Sequence, residues 1–246
     1  MEIIELKNVD KSYKNNDKVL DNISFTILKN TITGYLGANG AGKSTTIKLL
    51  IGLIKADAGE VTIKRINLYE DNNSSLSIRK STGCMLEYDT LYLDLTAMDN
   101  IKYWGQLHGL SEDEAEDKGK ELLEKMKLKN ILVSEYSNGM KKRLSFAKSI
   151  IHNPEVLILD EPTSGVDFES RILIRELIKE LHEKGSTIFL SSHDLEEVRK
   201  LCTNIIIIDH GKIQIQGKLE DIMKSNEEYN NIEDVYTSFV GETIES

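Results

Sequence analysis

Eight residues, Gly37 to Ser44 (GANGAGKS), restrict this chain more than any others. They fit the pattern G-x-x-x-x-G-K-[ST] without a mismatch. Gly37, Gly40 and Gly42 let the backbone turn tightly, so successive N–H groups point into one concavity that suits an anion. Lys43 adds positive charge, and the Ser44 hydroxyl can ligate Mg²⁺. The flanks agree. Thr31 to Leu36 (TITGYL) reads as a short β-branched strand, and Lys43 to Leu53 as a helix with Ile47, Leu50, Ile51 and Ile54 at helical spacing. Strand, glycine turn and helix together predict an α/β chain. The phosphates of a nucleoside triphosphate would sit at the helix N-terminus, where the backbone dipole favours anions. The expected contact set is Gly37, Ala38, Asn39, Gly40, Ala41, Gly42, Lys43, Ser44 and Thr45.

The chain has 246 residues, enough for one sizeable α/β domain or two small lobes. Its formal net charge of −10 argues against a nucleic-acid surface, which is usually basic. Cys84 and Cys202 match no metal or redox spacing and are expected to be buried, reduced thiols. Met1 leads directly into a strand-like segment, so no leader peptide is expected. The longest apolar runs, Val156 to Leu159 and Ile205 to Ile208, are far too short to span a bilayer. These features predict a soluble chain whose membrane role, if any, comes through a partner.

Residues 1 to about 30 alternate apolar and polar residues, as an antiparallel sheet would. From Thr96 the pattern turns helical. Thr96, Ser111 (with Glu114 as a capping box), Ser137 and Asp167 stand where helices would start. His108-Gly109 and Gly185 stand where helices would end, and Pro154 follows the helix that starts after Ser137. Strands are expected at 61–63, 82–86, 155–160, 187–190 and 205–208. His210-Gly211 is a tight-turn candidate before KIQIQ. The predicted organisation is a core of residues 1–89 and 151–221, an inserted helical subdomain over 90–150, and a polar tail over 222–246.

VLILDE, residues 156–161, ends a continuous apolar strand in two acids, and strand ends in parallel sheets face the ligand crevice. Asp160 is placed to hold Mg²⁺ through its water shell. Glu161 is the natural general base for a water attacking a γ-phosphate. Ser137 and Gly139 precede another helix and make a second anion site. Read alone, Ser137 is also an ordinary N-cap, Lys141, Lys142 and Arg143 are surface charge, and His193 is a capping or exposed histidine. His108, His152, His182 and His210 carry no expected role.

Taken together, these pieces resemble an ABC transporter ATPase subunit over nearly the whole chain. YSNGMKKR (Tyr136 to Arg143) stands where that family has its LSGGQ signature. SGVD (Ser164 to Asp167) resembles its D-loop, SSHD (Ser191 to Asp194) its switch-histidine segment, and GCMLEYD (Gly83 to Asp89) the segment ending at its Q-loop. The resemblance implies a mixed parallel core sheet with an N-terminal antiparallel β-subdomain and an inserted helical subdomain. It implies ATP and Mg²⁺ as ligands: Tyr13 stacks on adenine, Ser137, Asn138 and Gly139 cover the ATP of a second, head-to-tail ATPase subunit, and His193 acts with Glu161 and Lys43. Ser44, Glu87 and Asp160 would serve the metal. A homodimer, a separate polytopic membrane subunit, no nucleic acid, and a place on the inner face of the cell membrane follow.

Two departures stand out. Glu87 replaces the usual Gln and brings a full negative charge. Asn138 and Met140 replace Gly and Gln, and Asn tolerates left-handed backbone, which would preserve the turn. Both variants resemble the subgroup that drives drug export, antibiotic self-resistance or sodium extrusion. A soluble ABC ATPase serving a scaffold or assembly role is the alternative.

Overall fold

A computed structural model describes residues 1–13, 17–70, 72–87 and 91–240. Tyr88 and Asp89 of the Q-loop-like segment, and the last six residues of the predicted tail, lie outside the described residues. The chain forms two compact units, one of residues 1–78 and 187–246 and one of residues 79–186.

In the first unit, β1 (Glu2–Ser12), β2 (Lys18–Leu28), β4 (Ala58–Ile63) and β5 (Ile66–Asn67) form the predicted antiparallel sheet, in the order β2-β1-β4-β5. Parallel to one another, β3 (Ile32–Leu36) lies between β8 (Thr187–Ser192) and β9 (Asn204–Asp209), and β10 (Lys212–Lys218) pairs antiparallel to β9. Every residue of β3 and β8 is buried, as an apolar strand covered on both faces must be. Phe25 of β2, Tyr35 of β3 and Phe189 of β8 form one aromatic cluster with ring centroids 5.2–6.0 Å apart. The buried Tyr35 hydroxyl shares a 3.1 Å hydrogen bond with Thr46 of α1 (Lys43–Leu50), fixing that helix above the sheet.

The residues beyond 221 are not wholly a polar tail. Beyond β10 come α8 (Leu219–Lys224) and α9 (Ile232–Val240). Ile222, Ile232 and Val235 are buried, and α9 packs on β9, on α8 and on α7 (Leu195–Leu201). The short apolar spacing of Ile232 and Val235 is one helical face.

In the second unit, which opens within α2 (Asn72–Ser81), β6 (Thr82–Met85) and β7 (Val156–Asp160) pair in parallel, with Met85 opposite Leu159. Around them stand α3 (Ala97–Leu107), α4 (Glu112–Lys125), α5 (Asn138–Ile150) and α6 (Phe168–Glu183). The predicted starts hold: Thr96 with Asp99 and Ser111 with Glu114 form reciprocal capping boxes, and Ser137 and Asp167 cap α5 and α6. Sequence reading missed α2 and β5, whose polar residues carry little periodicity.

Candidate functional site

The glycine loop leaves the C-terminal end of β3. Gly42 has φ 111 and lacks a side-chain cap on α1, so the first amides of the helix face the loop without an internal side-chain acceptor. Only glycine fits there, because a Cβ would also stand 2.7 Å from Leu20 Cδ2. Lys43 is 7% exposed and donates from Nζ to the carbonyls of Gly37 (2.6 Å) and Ala38 (3.1 Å). Ala38, Asn39 and Gly40 are exposed, and Ser44 is half-buried in the first turn of α1. The predicted turn at His210-Gly211 supports the loop from behind: Gly211 N–H donates to Ala41 O at 3.1 Å, and Asp21 N–H donates to Gly211 O at 2.8 Å.

Tyr13 stands beside that helix. Its hydroxyl lies 3.4 Å from Thr45 Oγ1 and its side chain is 45% exposed, which leaves a ring available to a ligand at the loop. His193 is brought to the same edge. Leu36 and Ser192 are register partners in parallel strands, so the loop and His193 leave neighbouring strand ends. The capping role falls to Asp194, which accepts from Glu197 N–H at 3.1 Å, while His193 is exposed.

The second unit gathers the other predicted groups. Asp160 is 3% exposed at the end of β7, and Glu161, 8% exposed, follows with φ 49. A non-glycine residue in the left-handed region is uncommon and costs of order 1 kcal/mol, so the surroundings fix the carboxylate's direction. Glu87 is exposed two residues past β6, which ends level with β7, so Glu87 and Glu161 leave the same end of paired strands. Lys142 donates to the Glu87 carbonyl at 3.4 Å.

The signature-like segment opens α5. Ser137 Oγ accepts from Met140 N–H at 3.3 Å. Asn138 is the first helical residue and is right-handed, so the expectation that it preserves a left-handed turn is corrected: no such turn is needed. Gly139 is the constrained position. A Cβ there would overlap Asp167 Oδ2 and stand 2.9 Å from Ser170 Oγ. Ser170 donates to both carboxylate oxygens of Asp167 at 2.8 Å, backbone first and hydroxyl second, and these bonds hold that carboxyl below its ordinary range. The signature-like turn and the D-loop-like segment thus form one tight contact.

The basic run after Gly139 is not surface charge throughout, because Lys142 is buried and Arg143 Nη1 donates to Met126 O at 2.7 Å, closing α4. Of the two cysteines, Cys202 is buried as expected but Cys84 is exposed.

Each unit supplies groups whose chemistry suits a magnesium-bound nucleotide: the first an open amide cradle, an internal ammonium and a hydroxyl in the first turn of α1, the second buried strand-end acids. Among the described residues no group of three His, Cys, Asp or Glu side chains forms a metal cage.

Comparison with known proteins gives the same direction. Residues 20–164 match the family model described as ABC transporter. The chain is 36% identical over 223 residues to the linearmycin resistance ATP-binding protein LnrL of Bacillus subtilis (strain 168), covering 89% of this chain and 70% of that protein. It is 39% identical over 220 residues to the Nod factor export ATP-binding protein I of Sinorhizobium fredii, covering 87% of this chain and 62% of that one. A solved dimeric ATP-binding cassette in a post-hydrolysis state, bound to ADP and Pi, is similar with a TM-score of 0.81 and 27% identity, over 88% of this chain and 99% of that chain.

Proposed function

The chain belongs to the ABC transporter ATP-binding family, and from that premise we propose that it powers an exporter by closing head-to-tail on a second ATPase subunit, taken here as an identical copy. It is an ATPase that converts ATP and water to ADP and phosphate. The observation that carries the dimer is that one chain offers two anion-binding helix starts, α1 and α5, and only one glycine loop. In this reading the loop of one subunit binds the triphosphate, and Ser137, Asn138 and Gly139 of the other cover it. ATP binds the closed dimer better than the open one and so shifts that equilibrium.

Within each site, Tyr13 supports the adenine, Lys43 exchanges its loop carbonyls for phosphate oxygens, and Ser44, Asp160 and Glu87 would serve Mg²⁺. Mg²⁺ neutralises charge on the β- and γ-phosphates when bound. Glu161 takes a proton from water as the water oxygen bonds to the γ-phosphorus and the bond to the bridging oxygen breaks. His193 orients that water and donates to the γ-phosphate. Residues 90–150 serve as the subdomain that moves with the signature.

Export is supported by the printed roles of the two relatives above, one a resistance protein and one an export protein, and by Glu87 and Asn138. No described helix is long and apolar enough to cross a membrane. In this reading a separate membrane subunit supplies the pathway and holds this chain at the inner face. Its docking place is the exposed apolar surface of Tyr92, Leu93, Tyr103 and Leu107. A pull-down from detergent-solubilised membranes with and without ATP tests this. Recovery of a polytopic membrane protein is expected, and its absence under both conditions counts against the transporter role.

A further inference from the structure

The D-loop end of α6 carries an apolar side chain with no structural use inside the chain. Phe168 is 76% exposed, the most exposed large apolar side chain among the described residues. It is the first residue of α6, directly after Asp167, which touches Gly139 and is fixed by two bonds from Ser170. Phe168 is therefore mounted on a preorganised turn next to the signature segment.

Its surroundings are polar. Asp167 precedes it, Glu169 follows it and pairs with Lys127 at 2.9 Å, and Asn138 is exposed at the start of the adjoining helix. A lone aromatic inside a polar rim is the usual form of an interface anchor: the ring supplies the buried area, and the rim excludes water. Burying one Phe changes an association constant roughly tenfold to hundredfold.

We infer that Phe168 is an apolar anchor for a second copy of this chain, closing beside the signature of one subunit onto the other. The inference rests on the head-to-tail reading above. A second copy is the occupant because Phe168 adjoins the same signature turn that this reading puts in the dimer interface, and because a similar cassette has been solved as a dimer. In a two-fold arrangement the residue occurs twice, once at each ATP, so its effect on closure is doubled.

The test uses the full chain with Glu161→Gln, which is expected to stop turnover with ATP bound. Dimer formation with Mg-ATP is measured by sedimentation as a function of protein concentration, beside F168A and F168L in the same background. F168A should weaken association at least tenfold, F168L should retain most of it, and both should bind a fluorescent ATP analogue as monomers with unchanged affinity. Because the ring is exposed, both should also unfold at the parent's temperature. Unchanged dimerisation of F168A overturns the inference, and so does loss of the membrane subunit with an intact dimer, which would assign Phe168 to that partner. If the E161Q parent itself stays monomeric with ATP, the head-to-tail reading fails, and Phe168's role with it.

Discussion

Glu161 sits at a residue-scale conflict: its backbone, φ 49, is one that most side chains avoid, yet its carboxylate is almost wholly enclosed. A glutamine of the same size keeps the geometry and removes the base. Glu161→Gln should lower turnover roughly a hundredfold or more, the usual share of a general base, while ATP binding persists. Steady-state phosphate release and equilibrium ATP binding read the two effects separately, and full activity would remove Glu161 from the role. Gly139 is a steric matter. A methyl there meets Asp167 and Ser170, so Gly139→Ala should cost about 1–3 kcal/mol of stability through overpacking, seen in urea unfolding. The same change should depress ATP-dependent dimerisation, because the turn carrying Ser137 must shift. The place of Glu161 was legible because acids end a continuous apolar strand. Gly139's tight fit was not, since it depends on Asp167, 28 positions away, docking against it.

At the scale of elements, the ends of α3 and α5 meet through two histidines. His108 and His152 have ring centroids 3.8 Å apart, and both ring nitrogens of His152 are buried. Burial, then the neighbouring His108, pushes the His152 imidazole down to about 3, and Lys118 of α4 acts in the same direction. The unfolded imidazole titrates near 6.5. Between these values unfolding takes up a proton, so this contribution is full above pH 6.5 and is lost progressively as the pH falls toward 3. The slope is at most about 1.4 kcal/mol per pH unit. His152→Phe keeps an aromatic against His108 without titrating. Urea denaturation at pH 7.5 and 5.0 should show a smaller acid loss for this variant, and an equal loss would clear His152 of the effect. Elements with strong local signals were readable in advance: the capped helices, the buried strands of β3, β7 and β8, and the turn at His210-Gly211. The misread stretches owed their structure to distant partners. The 222–246 segment looked polar, yet Ile222 finds cover only against β10 and α9, and Ile232 and Val235 of α9 only once β9 and α7 are in place. Lys142 looked like surface charge because its acceptor, Glu87 O, lies 55 residues away.

For the whole molecule, the head-to-tail proposal divides the site between two chains, and it then requires binding, stability and concentration to be linked. A ligand that binds only the folded state stabilises it by about 2.7 kcal/mol when present at a hundred times its dissociation constant, independent of protein concentration. Dimerisation adds a second increment that grows with protein concentration, because association is bimolecular. In the Glu161→Gln chain, Mg-ATP should therefore raise the melting temperature, and the rise should increase as the protein is made more concentrated. Removing Mg²⁺ with a chelator should take away most of the shift, since the triphosphate's charge is then left to Lys43 and the loop amides alone. Mg-ADP should give the smaller, concentration-independent shift, because it has no γ-phosphate for the covering signature to grip. Thermal scans over a fiftyfold range of protein concentration separate the cases. A shift equal for ATP and ADP and flat in concentration would mean that the loop is a complete site within one chain.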